Sequence, residues 1–421
     1  MLTAVVGINW GDEGKGRMVD LLSADYDIVC RYQGGNNAGH TVINDYGKIV
    51  LNLLPSGISR EGTVNVMGNG MVIDLEHLVH EIQSLREKGI HIGSDNLKIS
   101  DKAVICLPWH KMQDIMEEDR LKDKKFGSTR RGIGPVYADK YMKKAIRMGD
   151  LFAPDKLPEK VADLTEWKNL TVRGYGHEPV KAEDILAWLH EFGDPIKPYI
   201  TDVSDYLYDA ASAGENIMFE AQLGALRDIE FGIYPYTSSS CTLAGYATIG
   251  AGIPGLKLDK TIGIMKAYSS CVGEGPFTVE MFGDEAEALR RAGGEYGAAT
   301  GRPRRVGAFY IPASRYGVRM HGADCIALTK MDVLSYMDKI PVCVAYDING
   351  EITEKFPVGE RLNAAKPVFE YMEGFGDISG CRKPEDLPKA AMDYIRYLEA
   401  AVGCKIKYVS VGAGRDEYVE L

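Results

Sequence analysis

One lysine, two acids and four glycines are packed into Gly7-Ile8-Asn9-Trp10-Gly11-Asp12-Glu13-Gly14-Lys15-Gly16. That composition suits phosphate: backbone N–H groups converge in a glycine turn, a helix N-terminus adds partial positive charge and lysine a full one. The pattern departs from the P-loop, G-x-x-x-x-G-K-[ST], at two positions. Asn9 stands where the first glycine belongs, and Gly16 where the magnesium-holding hydroxyl belongs. A nucleotide bound here with Mg²⁺ needs another hard oxygen, and Asp12 is the nearest. A tight strand–helix turn would explain the glycines alone. Lys15, beside two acids that read as buried, Asp12 and Glu13, favours phosphate chemistry.

Further groups with chemical potential recur at strand ends. Gln33 to Thr41 is a second polar glycine loop, and its His40 reads equally as a structural histidine or as a catalytic or phosphate contact. Phe126 to Pro135 combines Ser128 and Thr129 with Arg130 and Arg131, either solvated or a phosphate clamp, since guanidinium matches phosphate bidentately. Tyr234 to Ser240 is a hydroxyl-rich loop. Gly297 to Arg305 holds Thr300 and three arginines, Arg302, Arg304 and Arg305. In an acidic chain such a loop suits a carboxylate or phosphate that orders it on arrival. Thr329-Lys330-Met331-Asp332 follows an apolar run and matches [N/T]-K-x-D, whose aspartate accepts from guanine N1–H and the 2-amino group. Adenine presents the wrong pattern there. Ser410 to Gly414, after another apolar run, completes such a base pocket.

The elements that must position these groups are legible in outline. Leu2–Ile8, Asp27–Tyr32, 48–54, 63–68, Lys98–Leu107, Asn216–Glu220, Thr261–Tyr268, Cys325–Thr329 and Lys405–Val411 read as strands. Met18–Leu22 reads as a short helix and 109–122 as another. Asp74–Lys88 is an amphipathic helix: Leu75, Leu78, Val79, Ile82 and Leu85 share a stripe, Asp74 caps it and Gly89 ends it. Residues 151–215 carry helical spacings, among them Trp167 and Trp188, and read as an insertion or cap. Strands alternate with helices and no linker or repeat interrupts them. The expectation is an α/β fold with a large central, mostly parallel sheet flanked by helices, P-loop NTPase-like with a variant phosphate loop. One domain spans 1–421, with helical insertions around 109–215.

Totals narrow the function classes. Of 421 residues, 45% are hydrophobic and 26% charged, an ordinary globular composition. The net charge of −11 argues against a nucleic-acid binder. Eight scattered cysteines with no C-x-x-C point to reduced thiols rather than disulfides or zinc. No apolar run is long enough to span a membrane, and the first residues read as a strand rather than a signal peptide. A cytoplasmic protein is expected.

Taken together, Trp10 to Gly16, Asn37-Ala38-Gly39-His40-Thr41, Gly132-Ile133-Gly134-Pro135, Thr300 to Arg305 and Thr329 to Asp332 closely resemble the adenylosuccinate synthetase family, from about Val5 to Arg415. The resemblance implies a homodimeric ligase of purine (AMP) biosynthesis. It would join L-aspartate to IMP through a 6-phosphoryl intermediate, using GTP with Mg²⁺. On that reading Asp12, His40 and Lys15 are catalytic, with Asp12 as base, His40 as acid and electrostatic stabiliser, and Asp12 with the Gly39 carbonyl on the metal. GTP would meet Gly11 to Arg17 (that is, Gly11, Asp12, Glu13, Gly14, Lys15, Gly16 and Arg17), Gly39, His40, Thr41, Arg304, Lys330, Met331, Asp332, Ser410, Val411 and Gly412. IMP would meet Asp12, Glu13, Gly14, Lys15, Asn37, Ala38, Gly39, His40, Thr129, Lys143, Gln222, Ser238 and Arg302. Aspartate would lie against Ala298, Ala299, Thr300, Gly301, Arg302 and Arg304.

Three positions depart from the family pattern. Lys143 replaces an arginine that reaches across the dimer to the IMP phosphate, keeping charge but losing the bidentate fork. Ala221-Gln222-Leu223-Gly224 replaces Gly-Ala-Gln-Gly, so the IMP-contacting glutamine is displaced by one residue; local backbone adjustment is expected to bring Gln222 in. Ser238 replaces a common threonine. Rival readings are a phage-type relative that aminates dGMP, which the presence of Asp12 disfavours, and a GTP-binding switch, which needs no arginine-rich loop and no Asp12/His40 pair. A generic ATP-dependent ligase leaves Asp332 without a reason.

Overall fold

Strand β1 (Leu2–Gly7) is apolar and buried along its whole length. Such a run fits a strand covered on both faces, as in parallel sheets. The computed structural model, which describes residues 1–296, 301 and 303–421, places β1 inside a ten-stranded sheet. Its other strands are β2 (Ile28–Arg31), β3 (Val64–Met67), β4 (Leu97–Ser100), β5 (Ile200–Thr201), β6 (Ile217–Glu220), β7 (Lys260–Lys266), β8 (Cys325–Thr329), β9 (Ile406–Ser410) and β10 (Tyr418–Glu420). In space they run β10-β9-β8-β7-β1-β6-β2-β3-β4-β5. Neighbours are parallel except β9 with β10 at one edge.

The order explains where the loops go. From β1 the chain builds outward through β2 to β5, returns to the centre at β6, then builds the other half through β7 to β10. Ligands gather outside the carboxyl ends of parallel strands where the order reverses. Register brings Val5, Glu220 and Arg31 side by side on β1, β6 and β2, just before the loops that leave those strands.

Helix α1 (Lys15–Leu22) leaves the phosphate-type loop, and α2 (Leu75–Glu87) begins where expected, with Asp74 accepting from the His77 N–H at 3.4 Å. Next come α3 (Pro108–Leu121) and α4 (Ile133–Tyr141). The single strand expected over Lys98–Leu107 is broken: β4 ends at Ser100 and, after a turn, Val104–Ile105 pair instead with Val72–Ile73. Within 151–215, α5 (Leu157–Gly174) and α6 (Ala182–Gly193) share a core with α2, whereas β5 extends the main sheet and α7 (Val203–Ser212) packs against it. Later, α8 (Gly283–Gly293), α9 (Ile311–His321) and α10 (Lys389–Val402) follow. A second sheet is built on Lys339–Ile348, the strand-like run around Cys343, with Glu351–Thr353 and Lys366–Glu373.

Candidate active site

The phosphate-type loop is held by its own acid. Glu13 is buried; its Oε1 accepts from the N–H groups of Asn9 (3.1 Å) and Gly11 (2.7 Å), and its Oε2 pairs with Lys15 Nζ at 2.7 Å. Asp12 differs from the expectation that both acids are buried. With φ at 59° it turns out of the loop, its side chain keeps 26% exposure, and Arg304 Nη2 lies 3.2 Å from its Oδ2. The missing hydroxyl at residue 16 has a steric cause: a Cβ on Gly16 would stand 2.6 Å from His40 Cβ. Closeness to His40 excludes serine or threonine there. From below, His321 Nε2–H donates to the Gly7 carbonyl at 2.9 Å while its Nδ1 accepts from the Ala244 N–H. Burial holds this imidazole down at about 4, so it stays neutral.

His40 lies at the start of a strand, His40–Asn44, rather than within a loop, and is buried. Its Nδ1 is 2.5 Å from Glu220 Oε1, and the Ser56 N–H and Oγ donate to the same carboxylate at 2.7 and 2.5 Å. Burial keeps the His40 pKa below its ordinary value despite Glu220, with Arg31 and Lys15 adding to that effect. For Glu220, burial pushes upward, but His40, Arg31 and Ser56 bring the carboxyl below its ordinary range, so it stays ionised. A carboxylate only accepts, so Nδ1 carries the proton and Nε2 is the nitrogen left for a ligand.

Around His40, Ala38 is tied by Asn52 Nδ2 at 3.0 Å, Asn37 Oδ1 accepts from Gly35 N–H at 3.3 Å, and Gly39 and Thr41 are exposed. Gln222 is fully buried: its Oε1 accepts from Gly35 N–H at 3.1 Å and its Nε2 donates to the Gly35 carbonyl at 2.9 Å. It braces the second glycine loop from beneath. Leu223, in the slot the family gives to glutamine, has φ at 64° and is half-buried against Gly11. Such a backbone is uncommon outside glycine and strained.

Thr129 is exposed, next to Ser128, whose Oγ donates to Asp114 at 2.6 Å. The other Asp114 oxygen accepts from Gly132 N–H at 2.8 Å, ahead of α4. Arg130 points to the surface and pairs with Asp119 at 2.8 Å, which removes it from a clamp with Arg131. Ser239 lies against the first turn of α4, its Oγ 3.6 Å from where a Gly134 Cβ would be, and neighbouring Ser238 meets Ser240 at 3.3 Å. Lys143 is exposed just past α4, with φ at 63°.

The opposite pole gathers the guanine-type motif. Thr329 Oγ1 donates to the Glu13 carbonyl at 2.5 Å, joining the end of β8 to the phosphate-type loop. Met331 is buried and its N–H reaches the Ser410 carbonyl at 3.3 Å. Arg17 donates to Ser410 Oγ and to the Gly414 and Glu417 carbonyls, and Ser410 Oγ in turn to the Gly412 carbonyl at 2.9 Å; Val411 is buried between them. Asp332 Oδ1 is buried without a hydrogen-bond partner. Burial raises the Asp332 carboxyl, with Arg17 and Lys330 pulling against it.

Ala298, Ala299, Thr300 and Arg302 lie outside the described residues. The flanks of their loop are joined: Arg304 N–H donates to the Glu295 carbonyl at 2.9 Å, and Tyr296 bridges Pro303. Glu295 itself is fully buried. Its Oε1 accepts from Lys266 (2.8 Å), Tyr268 (2.5 Å) and Lys330 (3.0 Å), and its Oε2 from Arg304 (2.9 Å). Sequence reading missed Glu295, Glu220, Ser56 and Lys266. The signal available was a charged residue ending or interrupting an apolar strand, as Glu220 and Lys266 do.

Among the described residues no three His, Cys, Asp or Glu side chains cluster as a metal cage. One half-open carboxylate, Asp12, and a carbonyl on an exposed glycine, Gly39, fit a magnesium ion that keeps most of its ligands from phosphates and water.

A parallel sheet, a variant phosphate loop, a guanine-type acid and a base-like carboxylate define a nucleotide-dependent enzyme. The adenylosuccinate synthetase family description matches residues 4–419. The chain belongs to the adenylosuccinate synthetase family, and it is a ligase. It is 44% identical to the adenylosuccinate synthetase of Caldanaerobacter subterraneus, covering 100% of this chain and 99% of that one. Identity to the Streptococcus gordonii adenylosuccinate synthetase is 43%, over 98% and 96%. The fully ligated adenylosuccinate synthetase of Plasmodium falciparum superposes with a TM-score of 0.92 at 35% identity, covering 100% and 99%. The cyanophage S-2L succinoaminodeoxyadenylate synthetase, bound to dGMP and dATP, shares the fold at a TM-score of 0.61 and 18% identity, covering 100% and 95%.

Proposed function

We propose a division of labour for the residues above. The enzyme is a GTP-dependent ligase of purine biosynthesis that joins L-aspartate to IMP, giving adenylosuccinate, GDP and phosphate, with Mg²⁺ as cofactor. The distant phage neighbour does not favour dGMP in place of IMP, and family membership leaves the switch reading without support. The observation that carries GTP rather than ATP is the buried, unpartnered Asp332 Oδ1 at the end of β8. A guanine N1–H and 2-amino group supply what that oxygen lacks; adenine does not.

In our reading Asp12 removes the N1 proton of IMP, so that O6 attacks the γ-phosphorus and GDP leaves. His40, aimed by Glu220, donates from Nε2 to the transferring phosphoryl group once substrate charge has protonated the ring. Lys15 exchanges Glu13 for phosphate oxygens. The aspartate amine then attacks C6, and phosphate leaves with the O6 oxygen. Asn37 to His40, Thr129 and Ser238 hold IMP, with Gln222 bracing the loop from behind. Ala298, Ala299, Thr300 and Gly301 bind aspartate. Arg302 and Arg304 grip its carboxylates, Arg304 leaving Asp12 as it does so. Asp12 and the Gly39 carbonyl would hold magnesium, which would supply positive charge beside the phosphates. The chain acts as one domain and pairs as a homodimer, with Lys143 reaching the partner's IMP phosphate; exposed Tyr141 and Met142 beside it suit a contact surface. Eight free thiols suit a cytoplasmic setting. Among the described residues no helix is long and apolar enough to cross a membrane.

The test is turnover of purified protein with IMP, L-aspartate, Mg²⁺ and either GTP or ATP, followed by ultraviolet absorbance of the product. Turnover with GTP and not ATP is expected. Turnover with dGMP instead of IMP, or equal use of ATP, would overturn the assignment.

A further inference from the structure

Glu295 touches neither proposed substrate position, yet it ties together parts that three separate segments contribute. Arg304 comes from the far flank of the aspartate loop, Lys330 from the guanine motif, and Lys266 and Tyr268 from the end of β7 and just beyond it. Through Arg304 it also reaches Asp12. Lys330 is further pinned to the Gly293 carbonyl at 2.6 Å, two residues before Glu295, so the loop's near flank and the guanine motif share one anchor. Four donors on one buried carboxylate leave it little freedom, and a shift of any donor is felt by the others. Burial alone would raise this carboxyl; Lys266, Lys330 and Arg304 instead hold it well below the usual range, so it is charged at any working pH.

We propose that Glu295 is a positioning residue that couples the guanine pocket to the aspartate loop, so that a seated guanine, by fixing Lys330, favours the Arg304 placement that aspartate needs. The proposal rests on the guanine and aspartate assignments above. IMP lies mainly on the other side of the site, along β2, β6 and α4, and meets this linkage only at Asp12.

Steady-state kinetics on Glu295→Gln should show KM for aspartate and for GTP each raised about tenfold, within the usual range of coupling between sites. KM for IMP, which meets the linkage only at Asp12, should rise much less, and Glu295→Asp should restore part of the loss. With ITP, which lacks the 2-amino group, wild type should show weaker aspartate binding than with GTP, and Glu295→Gln should abolish that difference. Where Glu295→Gln does not fold, Tyr268→Phe removes one donor without changing charge and carries the same comparison at smaller amplitude. An equal rise in the KM for IMP, or a GTP–ITP difference that survives the substitution, would overturn the coupling. Unchanged base preference in Asp332→Asn would instead overturn the pocket assignment on which it rests.

Discussion

Glu295 is a buried carboxylate and Asp332 a half-buried one with its Oδ1 buried; both feel Lys330, but they differ in what they bond. Glu295 accepts from four side chains on both of its oxygens. Asp332 keeps one oxygen buried and unbonded. A buried polar group without a partner costs stability unless a ligand completes it. Satisfied acids such as Glu13, Glu220 and Glu295 hold the frame, and in the proposed scheme the unsatisfied one reads a substrate. Asp12, half exposed with Arg304 as its partner, belongs with the second kind, because its contact is with a group that proposed substrates would recruit.

The largest effect expected from this contrast is at Asp12. Asp12→Asn should lower kcat by on the order of 10³, the scale of a lost general base, while GTP still binds. Rapid-quench and nucleotide-binding measurements would show it, and near-normal turnover would remove Asp12 as base.

A satisfied group should report instead in stability. His321 has an ordinary value of 6.5 and is held at about 4 in the fold. Between those values the unfolded chain binds a proton that the folded chain refuses, so stability falls as pH drops through that window. His321 should contribute about 3 kcal/mol to this loss, from roughly 1.4 kcal/mol per unit. Denaturant titrations from pH 7 to pH 4 check it: His321→Gln should be less stable at pH 7 and should have a flatter pH dependence than wild type. A parallel pair of curves would contradict it.

At Asp332 the contrast becomes sharpest. Asp332→Asn should weaken GTP by about 2 kcal/mol, the scale of a hydrogen bond to a charged group, and shift preference towards XTP. The melting temperature without ligand should fall little, because Oδ1 has no hydrogen bond to lose. A fall in stability with unchanged base preference would place Asp332 with Glu295.

The smallest effect is at Glu220. Glu220→Gln leaves an acceptor for His40 Nδ1–H but removes the charge that supports a protonated ring, and kcat should drop about tenfold with KM values little changed. A stability loss with full kcat would make Glu220 a structural partner only.

Most of the central sheet was legible because its strands are continuous apolar runs, and α2 because its stripe, cap and terminal glycine agree. The break between Ser100 and Val104 was missed, since both pieces are apolar and only a turn divides them. Of the second sheet, the run around Cys343 is strand-like in sequence, whereas its partners Glu351–Thr353 and Lys366–Glu373 are mostly exposed and carry no apolar run. At the site, the motifs around Asp12, His40 and Asp332 announced themselves by residue type. Their partners did not: Glu220 lies 180 residues from His40, Glu295 lies 35 from Lys330, and neither carries a motif.

By itself, then, the sequence determined the strand and helix segments near the site, the candidate motifs around Lys15, Asp332 and the arginines of 302–305, and the family they resemble. These are local properties, set by spacing and side-chain chemistry within a few residues. The tertiary structure decided which acid is buried, that residue 16 must be glycine because His40 leans on it, that Gln222 faces Gly35, and that Glu295 joins Arg304 to Lys330. Those outcomes depend on distances between segments far apart in the chain, which only the packing of the sheet brings together.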